Sequence, residues 1–263
     1  AYESSGTVRM GVIDIGSNTV HLLAADVHPG GRPLASTSDR TVVRLMRFLD
    51  ADGAISEEGV RALVDAVSRA REIAAAEQVD ALLATATSAV REAANGPEVI
   101  ARIEAALGQE LRVLDGETEA ELTFLAVRRW FGWSAGRLLL LDIGGGSFEF
   151  AAGADELPDV AASVPLGAGR MTVQFLPSDP PDEDAVDRLR AHAEAHLHHR
   201  HRMACLRMRA GVGRAHVHVG VGEVLLPRRD EHLPTPLRVD EVHRGRRAPG
   251  HPAIELPAVV VGR

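Results

Sequence analysis

LLLLDIGGGSFEF, residues 138–150, decides how this chain is read. Four leucines make a short apolar run of the kind that forms a buried strand. Asp142 stands at its end, three glycines and Ser147 follow, and FEFAAG (Phe148–Gly153) reads as a second strand. An earlier stretch, VIDIGSNTVHLL at residues 12–23, keeps the same order: apolar strand, Asp14, Ile15, Gly16, small polar residues, second strand. Two Asp-Ile-Gly turns at matching places form a weak internal repeat. A duplicated α/β unit, its copies facing each other across a cleft, is the simplest architecture for such a repeat.

Outward from these turns the pattern stays regular. HPGGRP (His28–Pro33) is a turn with strong breakers, and a third strand is expected around Thr41–Leu45. Ser56 caps a helix whose apolar positions Val60, Leu63, Val64, Val67 and Ile73 fall at helical spacing. A buried strand spans Val79–Thr87, a helix follows Pro97 and stops at Gly108, a short strand covers Leu111–Leu114, and a helix starts at Glu117. Three strands followed by alternating helices and strands predict a mixed sheet with helices packed on it. The second half opens the same way, with a third strand expected in VAASVPLGAG (Val160–Gly169).

Near Leu197 the character changes. Residues 1–191 carry 17 arginines against 30 acidic residues, whereas residues 192–263 carry 12 against 7. Ten of the twelve histidines lie from His192 onward. From about His198 neither helical nor strand period is legible, apart from VHVGV (Val217–Val221). A His-rich tract invites a metal reading. Only His192 and His196 hold an i,i+4 frame, so an irregular tail is the expectation. A reading-frame error in a GC-rich gene would also produce this Arg/His/Pro-rich composition, and resequencing the locus tests that.

Composition removes whole function classes. All 29 basic residues are arginine, which excludes a Walker-type phosphate loop and any Schiff-base mechanism, since both need lysine. Aromatic residues are 3% of the chain, too few for base-stacking platforms. A net charge of −8 opposes a general grip on nucleic acid. No apolar run approaches the ~20 residues of a membrane span. Cys205 is the one cysteine, so no disulfide framework forms; with no apolar leader in Ala1–Met10, the expected compartment is the cytoplasm.

Four elements could do chemistry. In DIGSNT, Asp14 ends a buried strand, Gly16 permits a tight turn, and Ser17, Asn18 and Thr19 offer hydroxyl, amide and backbone N–H groups to an anion; an ordinary hairpin turn is the competing reading. In DIGGGS, Gly144, Gly145 and Gly146 leave the backbone bare, so N–H groups can wrap a phosphate without Cβ clashes, and Ser147 adds a hydroxyl. Asp142 and Glu149 flank this turn, and carboxylates beside a phosphate site suit Mg²⁺, which takes one or two of them plus phosphate oxygens. In GETEAEL (Gly116–Leu122), Glu117, Glu119 and Glu121 open a helix where its dipole favours acids. Glu117 and Glu121 share a face at ~100° per residue while Glu119 points elsewhere, and a carboxylate aimed at a phosphate would be a base for water. Arg91, in TATSAVRE, could clamp a phosphate bidentately or be a surface arginine.

Taken together, VIDIGSNTVHLL, ATATSAVREA, VLDGETEAELTFLAV, LLLLDIGGGSFEF and VPLGAGRM resemble the Ppx/GppA family of exopolyphosphatases and guanosine-pentaphosphate phosphatases, within the actin-like ATPase superfamily. The resemblance covers roughly residues 8–197 and is nearest to short actinobacterial members. It implies an α/β fold of two ribonuclease-H-like lobes with mixed sheets. These are placed at 8–133 and 134–197, with an atypical tail at 198–263 that leaves the second lobe incomplete. It implies release of terminal orthophosphate from polyphosphate or guanosine pentaphosphate with a divalent cation such as Mg²⁺. Glu119 falls on the family's catalytic base, Thr118 standing where the family has another acid. Asp14, Asp142 and Glu149 fall on metal and water positions. Gly16, Ser17, Asn18, Thr19, Gly144, Gly145, Gly146 and Ser147 fall on the phosphate loops, and Arg91 on the phosphate-contacting arginine. A homodimer is open to it, with neither nucleic acid nor membrane as partner. An actin-like kinase or ATPase, and a catalytically impaired polyphosphate or alarmone binder, are the rival readings.

Overall fold

In the computed structural model, which describes residues 6–209, 237–238 and 257–262, both quoted hairpins form. Strand β1 (Val8–Ile15) pairs antiparallel with β2 (Thr19–Val27), and β2 with β3 (Leu34–Val42). The third strand thus lies earlier than its expected place around Thr41–Leu45. It is an edge strand whose residues, LASTSDRTV, are mostly exposed, so it carries no apolar run by which to be found. Ser56 does cap α1 (Glu57–Ala76), its hydroxyl accepting from Gly59 N at 3.3 Å. Strand β4 (Ala81–Ala86) then runs parallel to β1. The short helix α2 (Ser88–Arg91), which the sequence did not announce, leads to α3 (Gly96–Leu107). Gly108, at φ 71°, ends α3 in the left-handed region that favours glycine. Strand β5 (Arg112–Val113) closes the sheet, in the order β3-β2-β1-β4-β5.

One apolar core fills this first unit. Ile13, Ile15 and Leu22 from the sheet pack with Leu63 and Val67 of α1 and Ile103 of α3. Each such side chain, fully removed from water, contributes about 1.5–3 kcal/mol. Across β1 and β2, Arg9 forks onto Asp26 (Nε–Oδ1 2.8 Å, Nη2–Oδ2 3.1 Å). The hydrogen-bonding guanidinium holds the Asp26 carboxyl below the usual carboxylate range.

The chain divides into two compact units at Asp115/Gly116, earlier than the boundary expected at residue 133. The reason is packing. Helix α4 (Gly116–Phe131) lies on strands that follow it in sequence, burying Ala120 and Phe124 against Leu138, Leu140, Ala151 and Ala161. Strands β6 (Leu138–Ile143), β7 (Phe148–Gly153) and β8 (Val160–Val164) form an antiparallel meander. Helices α5 (Ala168–Phe175) and α6 (Glu183–Arg209) follow it. The opposite sheet face, with Leu141, Ile143 and Phe150, packs with Met171 of α5 and Leu189 and Ala193 of α6.

The sequence reading ended near His198, yet α6 continues to Arg209. Two further strands, β9 (Leu237–Arg238) and β10 (Pro257–Gly262), join the second sheet in the order β8-β7-β6-β10-β9. β10 is parallel to β6, as β4 is to β1. The second sheet therefore holds a strand beside β6 that the tail's composition concealed. VHVGV lies outside the described residues. No described helix is long and apolar enough to cross a membrane.

Candidate active site

The two turns share one backbone device. Gly16 N–H donates to the Thr19 carbonyl at 3.0 Å, and Gly144 N–H donates to the Ser147 carbonyl at 3.0 Å. Register repeats too: Asp14 faces His21 across β1 and β2, and Asp142 faces Glu149 across β6 and β7. The internal repeat is thus present hydrogen bond by hydrogen bond, with His21 standing where the second unit has Glu149.

In unit 1, Ser17 is buried, and its Oγ lies 3.5 Å from the Oγ of buried Ser88 at the start of α2. Ser88 and its buried neighbour Thr87 were not singled out from sequence, although both stand in the segment quoted for Arg91. Leu45 N–H donates to the Ser17 carbonyl at 2.8 Å, and Val43 and Arg44 N–H to the Asn18 carbonyl at 2.8 and 2.9 Å. Gly16, Asn18 and Thr19 are half-buried, as is Asp14. Arg91 ends α2, its Nη1 donating to the Leu114 carbonyl and its Nη2 to Glu92 Oε1 at 3.2 Å. Its fork is thereby engaged in tying β4's exit to the end of β5.

Unit 2 gathers the acids. Asp142 and Glu149 are each 1% exposed. Opposed residues of an antiparallel pair hold their Cβ atoms ~4.5–5.5 Å apart. Two buried carboxylates facing each other are a setting that favours a cation beside them. Ser163, opposite Glu149 on β8, donates its hydroxyl to Glu149 Oε1 at 2.7 Å. Ser163 escaped the sequence reading because a serine in a strand carries no sign of its cross-strand neighbour.

Alternation along the strands fixes their face. Leu138, Leu140, Ala151 and Ala161 face α4, so Asp142, Glu149 and Ser163, two residues along on their respective strands, share that face. Position along α4 follows from its far end. Arg128 Nη2 donates to the Gly153 carbonyl at 3.1 Å, and a Cβ on Gly153 would lie 3.3 Å from Phe124 Cζ. From Arg128 back to Glu119 the helix covers about 13 Å at ~1.5 Å per residue. From Gly153 back to Glu149 the strand covers about 13 Å at ~3.3 Å per residue. The two spans are similar in length, and Glu119, in the first turn of α4, is 7% exposed. Of the three acids that open α4, Glu117 is exposed and Glu121 half-buried, in keeping with the separate direction read for Glu119.

The donor set fits a divalent cation. Asp142 and Glu149 offer hard oxygen donors, and Mg²⁺ completes its shell with waters and phosphate oxygens. Among the described residues no three His, Cys, Asp or Glu side chains gather as a metal site. Of the expected metal positions, Asp142 and Glu149 face each other within unit 2, and Asp14 faces His21 within unit 1.

Comparison with known proteins adds relationship to this geometry. The sequence pattern of the Ppx/GppA phosphatase family matches residues 26–230. Exopolyphosphatase 1 of Mycobacterium tuberculosis is 50% identical over 183 residues, covering 70% of this chain and 53% of the relative. A protein of Streptomyces coelicolor is 46% identical over 185 residues, covering 70% and 55%. The chain thus spans about half the length of the curated relatives it matches. Among solved structures, an exopolyphosphatase from Cytophaga hutchinsonii superposes with a TM-score of 0.67 at 33% identity, over 72% of this chain and 60% of that one. The Aquifex aeolicus PPX-GPPA enzyme gives 0.59 at 27% identity, over 73% and 64%.

Proposed function

This chain belongs to the Ppx/GppA phosphatase family, and from that premise we propose that it removes terminal orthophosphate from inorganic polyphosphate. The observation that supports the reading is the pair of buried carboxylates Asp142 and Glu149, opposite each other beside the glycine turn, with buried Glu119 in the first turn of the helix that packs on the same sheet. Glu119 takes a proton from water as that water's oxygen attacks the terminal phosphorus. The phosphoanhydride P–O bond opposite breaks, its electrons stay on the departing chain, and orthophosphate forms. Asp142 and Glu149 would hold a divalent cation, Mg²⁺ in this reading, which when bound neutralises charge on the phosphoryl oxygens. The glycine turn at 144–147 supplies N–H donors to the same oxygens, so the work of the chain is positioning and electrostatics. The names of the relatives favour polyphosphate over guanosine pentaphosphate. In unit 1, Gly16, Ser17, Asn18, Thr19 and Arg91 are proposed as phosphate-binding groups and Asp14 as a cation-binding one, and the proposed compartment is the cytoplasm.

The test is phosphate release by the full chain from polyphosphate, guanosine pentaphosphate and ATP, each with Mg²⁺. Release from polyphosphate without ATP supports the proposal. Release from ATP alone would favour the kinase-like ATPase reading, and tight polyphosphate binding with no release would favour a binder. Asp142→Asn is expected to raise the Mg²⁺ concentration for half-maximal rate about 10-fold or more, since removing a ligand charge weakens a hard-cation site. An unaltered metal titration would remove Asp142 from that role.

A further inference from the structure

The carbonyls of the triple-glycine turn point to a group that the proposed chemistry does not use. Ala168 N–H, in the first turn of α5, donates to the Gly144 carbonyl at 2.8 Å, and Arg170 N–H to the Gly145 carbonyl at 2.9 Å. The Gly146 carbonyl takes Gly167 N–H at 3.4 Å and Arg170 Nε at 2.8 Å. The approach is close: a Cβ on Gly167 would lie 2.4 Å from Gly146 C and from Ser147 N. Gly167 is thus a position where no other residue fits without moving the loop.

Peptide planarity turns this into a statement about anion binding. In a trans peptide the C=O of one residue and the N–H of the next point in opposite directions. Fixing the carbonyls of Gly144, Gly145 and Gly146 toward α5 therefore aims the N–H groups of Gly145, Gly146 and Ser147 away from α5. Consecutive backbone amides turned to one side in this way are a donor set suited to a phosphate.

Unit 1 contains the same device. There the segment that follows the third strand, Val43–Leu45, donates its N–H groups to the carbonyls of Ser17 and Asn18. Arg44 reaches Asn18 with its backbone N–H from a left-handed conformation at φ 58°. In unit 2 the corresponding second donor to Gly146 is the Arg170 side chain. One slot is filled by backbone strain in one unit and by a guanidinium in the other.

We propose that Arg170 is a positioning residue: its Nε, with the first amides of α5, locks the 144–147 turn so that its N–H groups face the terminal phosphate. This deepens the proposed function and rests on it. The test uses the full chain and Arg170→Met, with sodium tripolyphosphate as the binding probe. Hydrogen exchange at the hydrogen-bonded amides of Gly144, Ala168 and Arg170 is expected to speed up in the variant while β6 and β7 keep their protection. Tripolyphosphate affinity is expected to fall about 10-fold, the scale of one lost hydrogen bond to a charged group. KM for polyphosphate should rise by a similar factor with a smaller change in kcat, as for lost uniform binding. Gly167→Ala, which displaces the same turn, should give the same signature.

Unchanged exchange, unchanged affinity, or loss of protection throughout β6–β8 would each overturn the proposal. If the wild-type chain binds tripolyphosphate and Arg170→Met binds it equally well, this inference fails and the proposed function stands. If the wild-type chain neither binds nor hydrolyses it, both fail.

Discussion

Glu119→Gln is expected to reduce phosphate release about 10²–10⁴-fold, the usual contribution of a general base, while tripolyphosphate binding stays within about threefold of wild type. The amide keeps the size and shape of the carboxylate but has no affinity for a proton at neutral pH. Folding is not the weak point of this experiment. Glu119 is buried, and a neutral glutamine amide costs less to desolvate than a carboxylate. Lost turnover with retained binding and retained unfolding midpoint therefore isolates the chemical step. Turnover within threefold of wild type would remove Glu119 from the role of base and leave Asp142 and Glu149 to be explained without it.

Arg128→Ala carries the largest expected effect on stability, about 3–5 kcal/mol. Arg128 is fully buried in α4. Its Nη1 donates to the Gly132 carbonyl at 3.1 Å, and its Nη2 to the carbonyls of Gly136 at 2.6 Å and Gly153 at 3.1 Å. The guanidinium also lies 5.8 Å from the Phe124 ring centroid. One side chain thus joins the end of α4, the turn after it and the end of β7. Truncation leaves the buried Gly153 carbonyl short of its donor, at ~1–3 kcal/mol, frees the more exposed Gly132 and Gly136 carbonyls to water, and opens a cavity beside Phe124 at a further few kcal/mol, about the cost of a large-to-small core change. Arg128→Lys should recover only part of the loss, because a single ammonium cannot reproduce the planar fork. Both tryptophans, Trp130 and Trp133, are exposed in the fold, so loss of helical circular dichroism in a urea titration is the readout. A midpoint unchanged by Arg128→Ala would show that the carbonyls find other partners.

The two units differ in how much of them could be read. In unit 1 the apolar runs, the Ser56 cap and the Gly108 stop are local signals, and the elements lie where they predict, β3 and the short α2 excepted. β3 lies at an edge and buries little, so burial left no mark on its composition. In unit 2 the three meander strands were legible because Leu138–Leu141 and the glycine turn are local signals too. Helix α4 was legible as a helix but not as part of unit 2. Its apolar face is compatible with either neighbour, and only packing against Leu140 and Ala151 assigns it. α5 begins inside the stretch expected as a strand to Gly169, and the strand beside β6 is separated from it by more than a hundred residues, the later part of them Arg/His/Pro-rich.

The sequence by itself determined the two hairpins and what stands at their ends. A turn closed by an N–H to a carbonyl three residues on is a local matter, and seven residues of spacing place Asp142 across from Glu149 once the turn is tight. Tertiary structure alone decided which glutamate of GETEAEL is buried, that Ser163 holds Glu149, that Arg128 is sealed in the core, and that Gly167 and Arg170 hold the glycine turn. Each of those depends on a hydrogen bond or a packed face between residues at least four, and mostly fourteen or more, positions apart. Periodicity records which side of an element is apolar; it does not record what lies opposite.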